Sequence, residues 1–124
     1  METKSGSCHC QSITFEIDLE NGLENLRRCN CSLCRRKNAI MAYVPMGQFR
    51  LLTGEHGLTS YQWNTRVAQH FFCGRCGIYT HHRRRLNPDE YGFNVACLDE
   101  IDPNQLTDVT VFDGTQLSVE TPEY

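Results

Sequence analysis

Cys8-His9-Cys10-Gln11-Ser12-Ile13-Thr14-Phe15-Glu16-Ile17-Asp18-Leu19 holds the two signals on which the fold turns. From Ile13 onward the apolar residues fall on alternate positions, with Ile13, Phe15, Ile17 and Leu19 on one side and Thr14, Glu16 and Asp18 on the other. Side chains two apart share a face of extended backbone, so this is the pattern of a half-buried β-strand. The C-x-C pair in front of it obeys the same geometry and directs both sulfurs to one side. A disulfide within that pair is awkward, because its Cα atoms would lie roughly 6.6 Å apart, at the long edge of what a bridge tolerates. A metal ion takes both thiolates without that strain.

Outward from this strand the period of two recurs. Ile40 to Val44, Phe49 to Leu52, Leu58 to Trp63, Val67 to Phe72 and Ile78 to His81 are short strand candidates separated by Gly, Asn and Pro. Tyr91, Phe93, Val95 and Cys97 form a further alternating set, and Asp108 to Phe112 is expected as a last strand before the Asp113-Gly114 turn signal. Helical expectation is confined to one or two turns over Ser32 to Lys37 and a short piece opened by Asp102-Pro103, where Asp caps and Pro takes the first position. The fold class expected is mainly β, built of short antiparallel strands, with a modest core that needs cross-links.

The chain has 124 residues, of which 40% are hydrophobic and 22% charged. That is the size of one domain, and residues 1–124 are expected to form a single zinc-binding unit without an internal linker or repeat. The formal charge of -3 argues against general nucleic-acid binding, which needs an excess of Lys and Arg. Met1 to Ser7 is polar and charged with no apolar run behind it, so neither a secretory signal nor a membrane-spanning segment is expected, and the cytoplasm is the expected location. In that setting eight cysteines are metal ligands or redox groups rather than a disulfide framework.

Their spacing assigns seven of the eight to metal. Cys73-Gly74-Arg75-Cys76-Gly77 has the form of a zinc knuckle, a tight turn presenting two thiolates. Beside a second pair a C-x-x-C is a strong metal signal, so Cys8, Cys10, Cys73 and Cys76 are expected to enclose one structural zinc, in preference to a redox pair at Cys73 and Cys76. Cys29, Cys31 and Cys34 remain, three ligands within six residues. Zinc takes four, so a three-cysteine site leaves a position open, the mark of a catalytic ion. Cys97 is the one cysteine that would close it. It also continues the apolar face of Tyr91, Phe93 and Val95, where a lone cysteine behaves as a small hydrophobe.

Arg27, Arg28, Arg35, Arg36 and Lys37 surround the central cysteines. Their charge stabilises thiolates, and it also suits an anionic substrate whose carboxylates Arg35 and Arg36 would hold. His81-His82-Arg83-Arg84-Arg85 reads as a solvated loop, although His81 or His82 could supply a proton-transfer group near the open ion. His9 should face away from the metal of its neighbours, and His56 and His70 have no partner spacing. Phosphate-binding glycine loops, nucleophile elbows and dinucleotide fingerprints are absent.

The order Gly6-Ser7-Cys8-His9-Cys10, Cys29-Asn30-Cys31-Ser32-Leu33-Cys34-Arg35-Arg36, Phe72-Cys73-Gly74-Arg75-Cys76-Gly77 and Leu98-Asp99 resembles the glutathione-dependent formaldehyde-activating enzyme family, which includes centromere protein V. Gln11 stands where that family often has glycine after the C-x-C, and Ala39 where glycine is common after the central cluster. The resemblance implies an Mss4-like fold, two zinc ions per chain and the same partition of cysteines. It further implies a carbon–sulfur lyase acting on a thiol of glutathione type and a small aldehyde such as formaldehyde. The competing expectation is a non-catalytic zinc module that binds a partner protein.

Overall fold

A computed structural model of the chain describes residues 1–63, 65–84 and 87–115. Its elements in order are β1 (Glu2–Ser7), β2 (Thr14–Leu19), β3 (Arg27–Cys29), α1 (Ser32–Lys37), β4 (Met41–Pro45), β5 (Phe49–Thr53), β6 (Leu58–Tyr61), β7 (Gln69–Cys73), β8 (Tyr79–Arg83), β9 (Glu90–Asn94) and β10 (Thr110–Phe112). They form a three-stranded sheet in the order β1-β2-β5 and a seven-stranded sheet in the order β10-β3-β4-β9-β8-β7-β6. The protein is mainly β, as the alternating patterns imply. All pairings are antiparallel except that of β10 with β3, which is parallel. Among the described residues no helix is long and apolar enough to cross a membrane.

β2 is the centre of the small sheet and follows its sequence pattern residue for residue: Phe15, Ile17 and Leu19 are buried while Thr14, Glu16 and Asp18 are half-exposed. On the polar face the Arg50 guanidinium donates to both carboxylate oxygens of Asp18, at 2.6 and 2.9 Å, and Thr3 adds a third bond at 2.8 Å. These donors, Arg50 first, hold the Asp18 carboxyl down to about 2. β1 is absent from the sequence reading because Glu2-Thr3-Lys4-Ser5-Gly6-Ser7 has no apolar face. It is an edge strand, held by its ladder to β2. Gly6 is its one buried residue, and a Cβ there would come within 2.6 Å of Phe15 Cζ.

The large sheet sorts its side chains by the same period. The cross-strand row Ala42, Phe93, His81, Phe71 turns toward the small sheet, and the row Tyr43, Gly92, His82, His70 toward the opposite side. The core between the sheets is built on Phe15, Ile17, Ala42, Val44, Phe49, Phe93 and Val95, with the Phe15 and Phe49 rings stacked at 5.2 Å.

Three expectations need correction. The run His81-His82-Arg83 is not a solvated loop but most of β8, an interior strand, and both histidines are buried. Each finds an aromatic setting, so the alternation is real but written in His and Tyr rather than aliphatic residues. Arg85 lies outside the described residues. The alternating set from Tyr91 leaves the strand after Asn94, whose side chain accepts from Ala96 N–H at 3.1 Å and turns Val95–Cys97 into a 3-10 turn. The last strand begins at Thr110 rather than Asp108 and joins β3, a strand too short and polar to be legible in Arg27-Arg28-Cys29.

Because the Phe15 ring is fully buried at the centre of this core, Phe15→Ala is expected to cost about 3–5 kcal/mol, read from the denaturant midpoint of metal-loaded protein. Leu52→Ala, at an exposed position, should change it by less than about 0.5 kcal/mol.

Candidate functional site

Two similar turns meet at the first cysteine group. In one, Cys8 N–H donates to Ile13 O at 3.0 Å, and in the other Cys73 N–H donates to Ile78 O at 3.0 Å. Each turn needs a residue in the left-handed region, supplied by Gln11 (φ 65°) and Gly77 (φ 79°). Gln11 thus adopts the conformation that favours glycine, at the position where the resemblance drawn from sequence implies one. Together the turns bring the sulfurs of Cys8, Cys10, Cys73 and Cys76 within 4.8 Å of one another.

The spacing tests whether zinc fits. Zinc–sulfur bonds of about 2.3 Å in a tetrahedron set the sulfurs roughly 3.8 Å apart. Cys10 Sγ lies 3.7 Å from both Cys8 Sγ and Cys73 Sγ, far beyond a disulfide bond and close to that edge. Backbone donors are aimed at the sulfurs as a thiolate site requires: Ile13 N–H at Cys8, and Arg75 and Cys76 N–H at Cys73, each at 3.4 Å. The Cys76 N–H and then the Ser12 hydroxyl are the main causes that bring the Cys73 thiol down to about 6. Burial raises Cys8, so the donors and not the burial favour the charged form. These four residues could hold a zinc ion.

The second group is Cys29, Cys31 and Cys34, again with all sulfurs within 4.8 Å. Cys29 ends β3, Cys31 caps α1 and Cys34 lies in its first turn. Cys31 N–H donates to Cys29 Sγ at 3.4 Å, and Cys34 N–H donates to Cys31 Sγ at 3.3 Å. The Cys31 thiol is lowered, first by hydrogen bonding from Cys29 and then from Cys34, whereas Cys34 is raised as the donor of the set. α1 stops at Asn38, left-handed at φ 53°, whose N–H returns to Cys34 O. The chain after β10 braces the loop from one side: Gly114 N–H donates to Asn30 Oδ1 at 2.6 Å, and a Cβ on Gly114 would fall 2.6 Å from Cys29 Sγ. These three residues could hold a metal ion, with three sulfurs where the first group has four.

Cys97 joins neither group among the described residues. It is buried in the core, its thiol directed at Tyr79 O at 3.5 Å, and burial pushes it up to about 12. His9 and His56 are exposed and also stand apart from both groups.

The other side of Cys29, Cys31 and Cys34 opens on a cavity of about 130 Å³, room for a few waters. Its cations are Arg27, Lys37 and Arg84. Arg35 and Arg36 do not line it: both are exposed on α1, and Arg36 Nη1 donates to Ser32 O at 2.7 Å. The guanidinium carbons of Arg27 and Arg84 lie 4.6 and 4.2 Å from the centre of the Tyr43 ring. Lys37 Nζ sits 3.4 Å from the centre of the Tyr79 ring, buried and without a hydrogen-bond partner among the described residues. Burial draws its ammonium down to about 8, opposed by the charges of Cys34, Cys31 and Cys29.

His70 and His82 face each other across β7 and β8 on this cavity. Tyr79 reaches the same face because the register slips between Phe71 and Phe72. Its hydroxyl lies 2.5 Å from His82 Nδ1 and 3.2 Å from His70 Nδ1. Gly92 makes room, since a Cβ there would be 2.6 Å from His82 Cε1 and 2.7 Å from Tyr43 Cε1. Sequence spacing could not pair His70 with His82, twelve positions on. Only the strand register brings them together.

The sequence model of the glutathione-dependent formaldehyde-activating enzyme family matches residues 3–112. The fold is similar to that of a Rhodobacter sphaeroides protein solved by crystallography as a structural-genomics target. The two share 48% identity with a TM-score of 0.83 over 87% of this chain and 99% of that one.

Metal analysis checks both groups. The intact protein is expected to carry two zinc ions, Cys31→Ser and Cys73→Ser one each, and Cys97→Ala two.

Proposed function

Because the chain belongs to the glutathione-dependent formaldehyde-activating enzyme family, we propose that it joins a thiol of glutathione type to a small aldehyde such as formaldehyde, or runs the reverse carbon–sulfur cleavage, beside Cys29, Cys31 and Cys34. The observation that carries this reading is a group of three sulfurs forming the wall of a cavity that also holds three cations. In this account Cys8, Cys10, Cys73 and Cys76 hold a structural zinc, Cys29, Cys31 and Cys34 a catalytic one, and residues 1–124 act as one zinc-binding domain. Zinc bound by three thiolates supplies a place where a further sulfur is held in its anionic form.

The protein's own residues do the rest. Three cysteine thiolates around a divalent ion leave one excess negative charge, and the Lys37 ammonium, without a hydrogen-bond partner among the described residues, balances it or meets an incoming anion. Arg27 and Arg84, each packed on the Tyr43 ring, present guanidinium groups to the carboxylates of a glutathione-type thiol. They replace Arg35 and Arg36 in the role expected from sequence. Tyr43, Trp63 and Phe112 give the cavity apolar walls that limit water around the reacting centre. The reaction needs a carbon–sulfur bond to form at the aldehyde carbon, the carbonyl π pair to move onto oxygen, and the thiol proton to end on that oxygen. A protein that depends on reduced thiols suits a reducing compartment such as the cytoplasm.

The rival, a partner-binding module with both ions fully enclosed, needs an eighth protein ligand. Cys97, its candidate, is committed to the core. Nuclear magnetic resonance exchange between formaldehyde and its glutathione adduct tests the proposal. Zinc-loaded protein should accelerate exchange catalytically, and Lys37→Met should raise KM for glutathione about tenfold or more while leaving KM for formaldehyde near its original value. No acceleration with any thiol and small aldehyde would refute the enzymatic reading.

A further inference from the structure

His70, Tyr79 and His82 form a continuous hydrogen-bonded row whose two imidazoles lie on the cavity wall, and the function proposed above leaves them without a task. Among the described residues the Tyr79 hydroxyl is the only link between the two Nδ1 atoms. A hydroxyl carries one proton, so it donates to one imidazole and accepts from the other. Two arrangements satisfy this. In the first, His70 Nδ1–H donates to Tyr79 O and Tyr79 O–H donates to His82 Nδ1, leaving His70 Nε2 a bare acceptor and His82 Nε2–H a donor. In the second, every proton has moved one place along the row and the two Nε2 atoms have exchanged roles. Neither Nε2 is hydrogen-bonded to another described residue, and both imidazoles line the cavity.

We propose that His70, Tyr79 and His82 act as a bifunctional proton relay, taking a proton at one imidazole Nε2 and releasing another at the opposite Nε2 without acquiring net charge. Resting on the thiol–aldehyde reading, the relay supplies the transfer that addition requires. The thiol gives its proton to His70 Nε2, and its sulfur pair forms the bond to the aldehyde carbon. His70 Nδ1–H passes to Tyr79 and the Tyr79 proton to His82 Nδ1. His82 Nε2–H then protonates the alkoxide oxygen. One carbon–sulfur bond replaces the carbonyl π bond, one proton has gone from sulfur to oxygen, and the row is left in its second arrangement; cleavage runs the same steps backward. The row is symmetric about Tyr79, so the same balance holds with the roles of His70 and His82 exchanged.

The surroundings favour a neutral row. Burial pulls His70 down to about 4 and His82 well below its usual range, with the Lys37 charge acting in the same direction, and burial pushes the Tyr79 hydroxyl up. An imidazolium or a phenolate is therefore disfavoured, while a shift between tautomers costs no charge separation. Lys37 Nζ lies over the Tyr79 ring, 3.4 Å from its centre, and the missing Cβ of Gly92 leaves room for the His82 imidazole.

Nitrogen-15 spectra of the imidazoles at pH 7 test the row in the zinc-loaded wild-type protein. Both rings should be neutral, with complementary tautomers: the fraction of Nδ1–H on one should equal the fraction of Nε2–H on the other. Tyr79→Phe, which keeps the ring and removes the link, should abolish that complementarity. It should also lower kcat at least about a hundredfold with KM for the thiol within about twofold. An imidazolium at pH 7, two like tautomers in the wild type, or a folded Tyr79→Phe enzyme within threefold of wild-type kcat would overturn the relay while leaving thiol–aldehyde chemistry in place. Complementary tautomers with no turnover of any thiol and aldehyde would instead refute the functional reading, and the relay's part in it.

Discussion

Sixty-three positions separate Cys10 from Cys73, yet their sulfurs lie 3.7 Å apart. That approach ties the turn between β1 and β2, in the small sheet, to the turn between β7 and β8, in the large one. The cluster around it is small, built on Cys8, Ile13 and Cys73 with Cys10, Leu51, Leu58 and Cys76 at its margin. So few apolar side chains cannot hold four like-charged thiolates together. A cation of zinc chemistry can, and its binding free energy then becomes folding free energy. The two sheets keep their relative placement through this junction at one end and through the Phe15, Phe49 and Phe93 core in the middle.

Once the sheets are fixed, strand period divides the labour. Odd and even positions of β4, β8 and β9 send Ala42, Val44, His81 and Phe93 inward and Met41, Tyr43 and His82 to the cavity. A one-residue slip would exchange the two sets and place His82 in the core. The register shift in the β7–β8 pairing, between Phe71 and Phe72, turns Tyr79 to the same side of the sheet as His82. The cavity therefore depends on register throughout, and the placement of His70 and His82 on its wall, with Tyr79 linking them from behind, could not survive a slip in any of the central strands.

Much of this was legible because the relevant signals are local. The alternation from Ile13 to Leu19, the capped turn Ser32–Lys37 and the Asp102-Pro103 start are set by neighbours within a few residues, and all three are found where the pattern places them. The C-x-C and C-x-x-C spacings likewise reveal which sulfurs come in pairs, and the structure gathers them in the two groups expected. The polar edge strand Glu2–Ser7 and the short β3 carry no such signal, because their pairing is decided by partners far along the chain. The same holds for the cavity. Arg35 and Arg36 look like its cations because they adjoin Cys34 in sequence, but the helix turns them outward, and Arg84 arrives from the end of β8 instead. His70 and His82 were unremarkable singly, since cross-strand proximity leaves no trace in linear spacing.

The account stands on the second group having one place fewer filled by protein than the first. Zinc-edge X-ray absorption of the two-zinc protein, with and without saturating glutathione, measures that directly. Sulfur neighbours averaged over both ions should rise from about 3.5 to about 4 as the thiol binds. An average that already stands at 4 in the free protein and does not change with glutathione would contradict it.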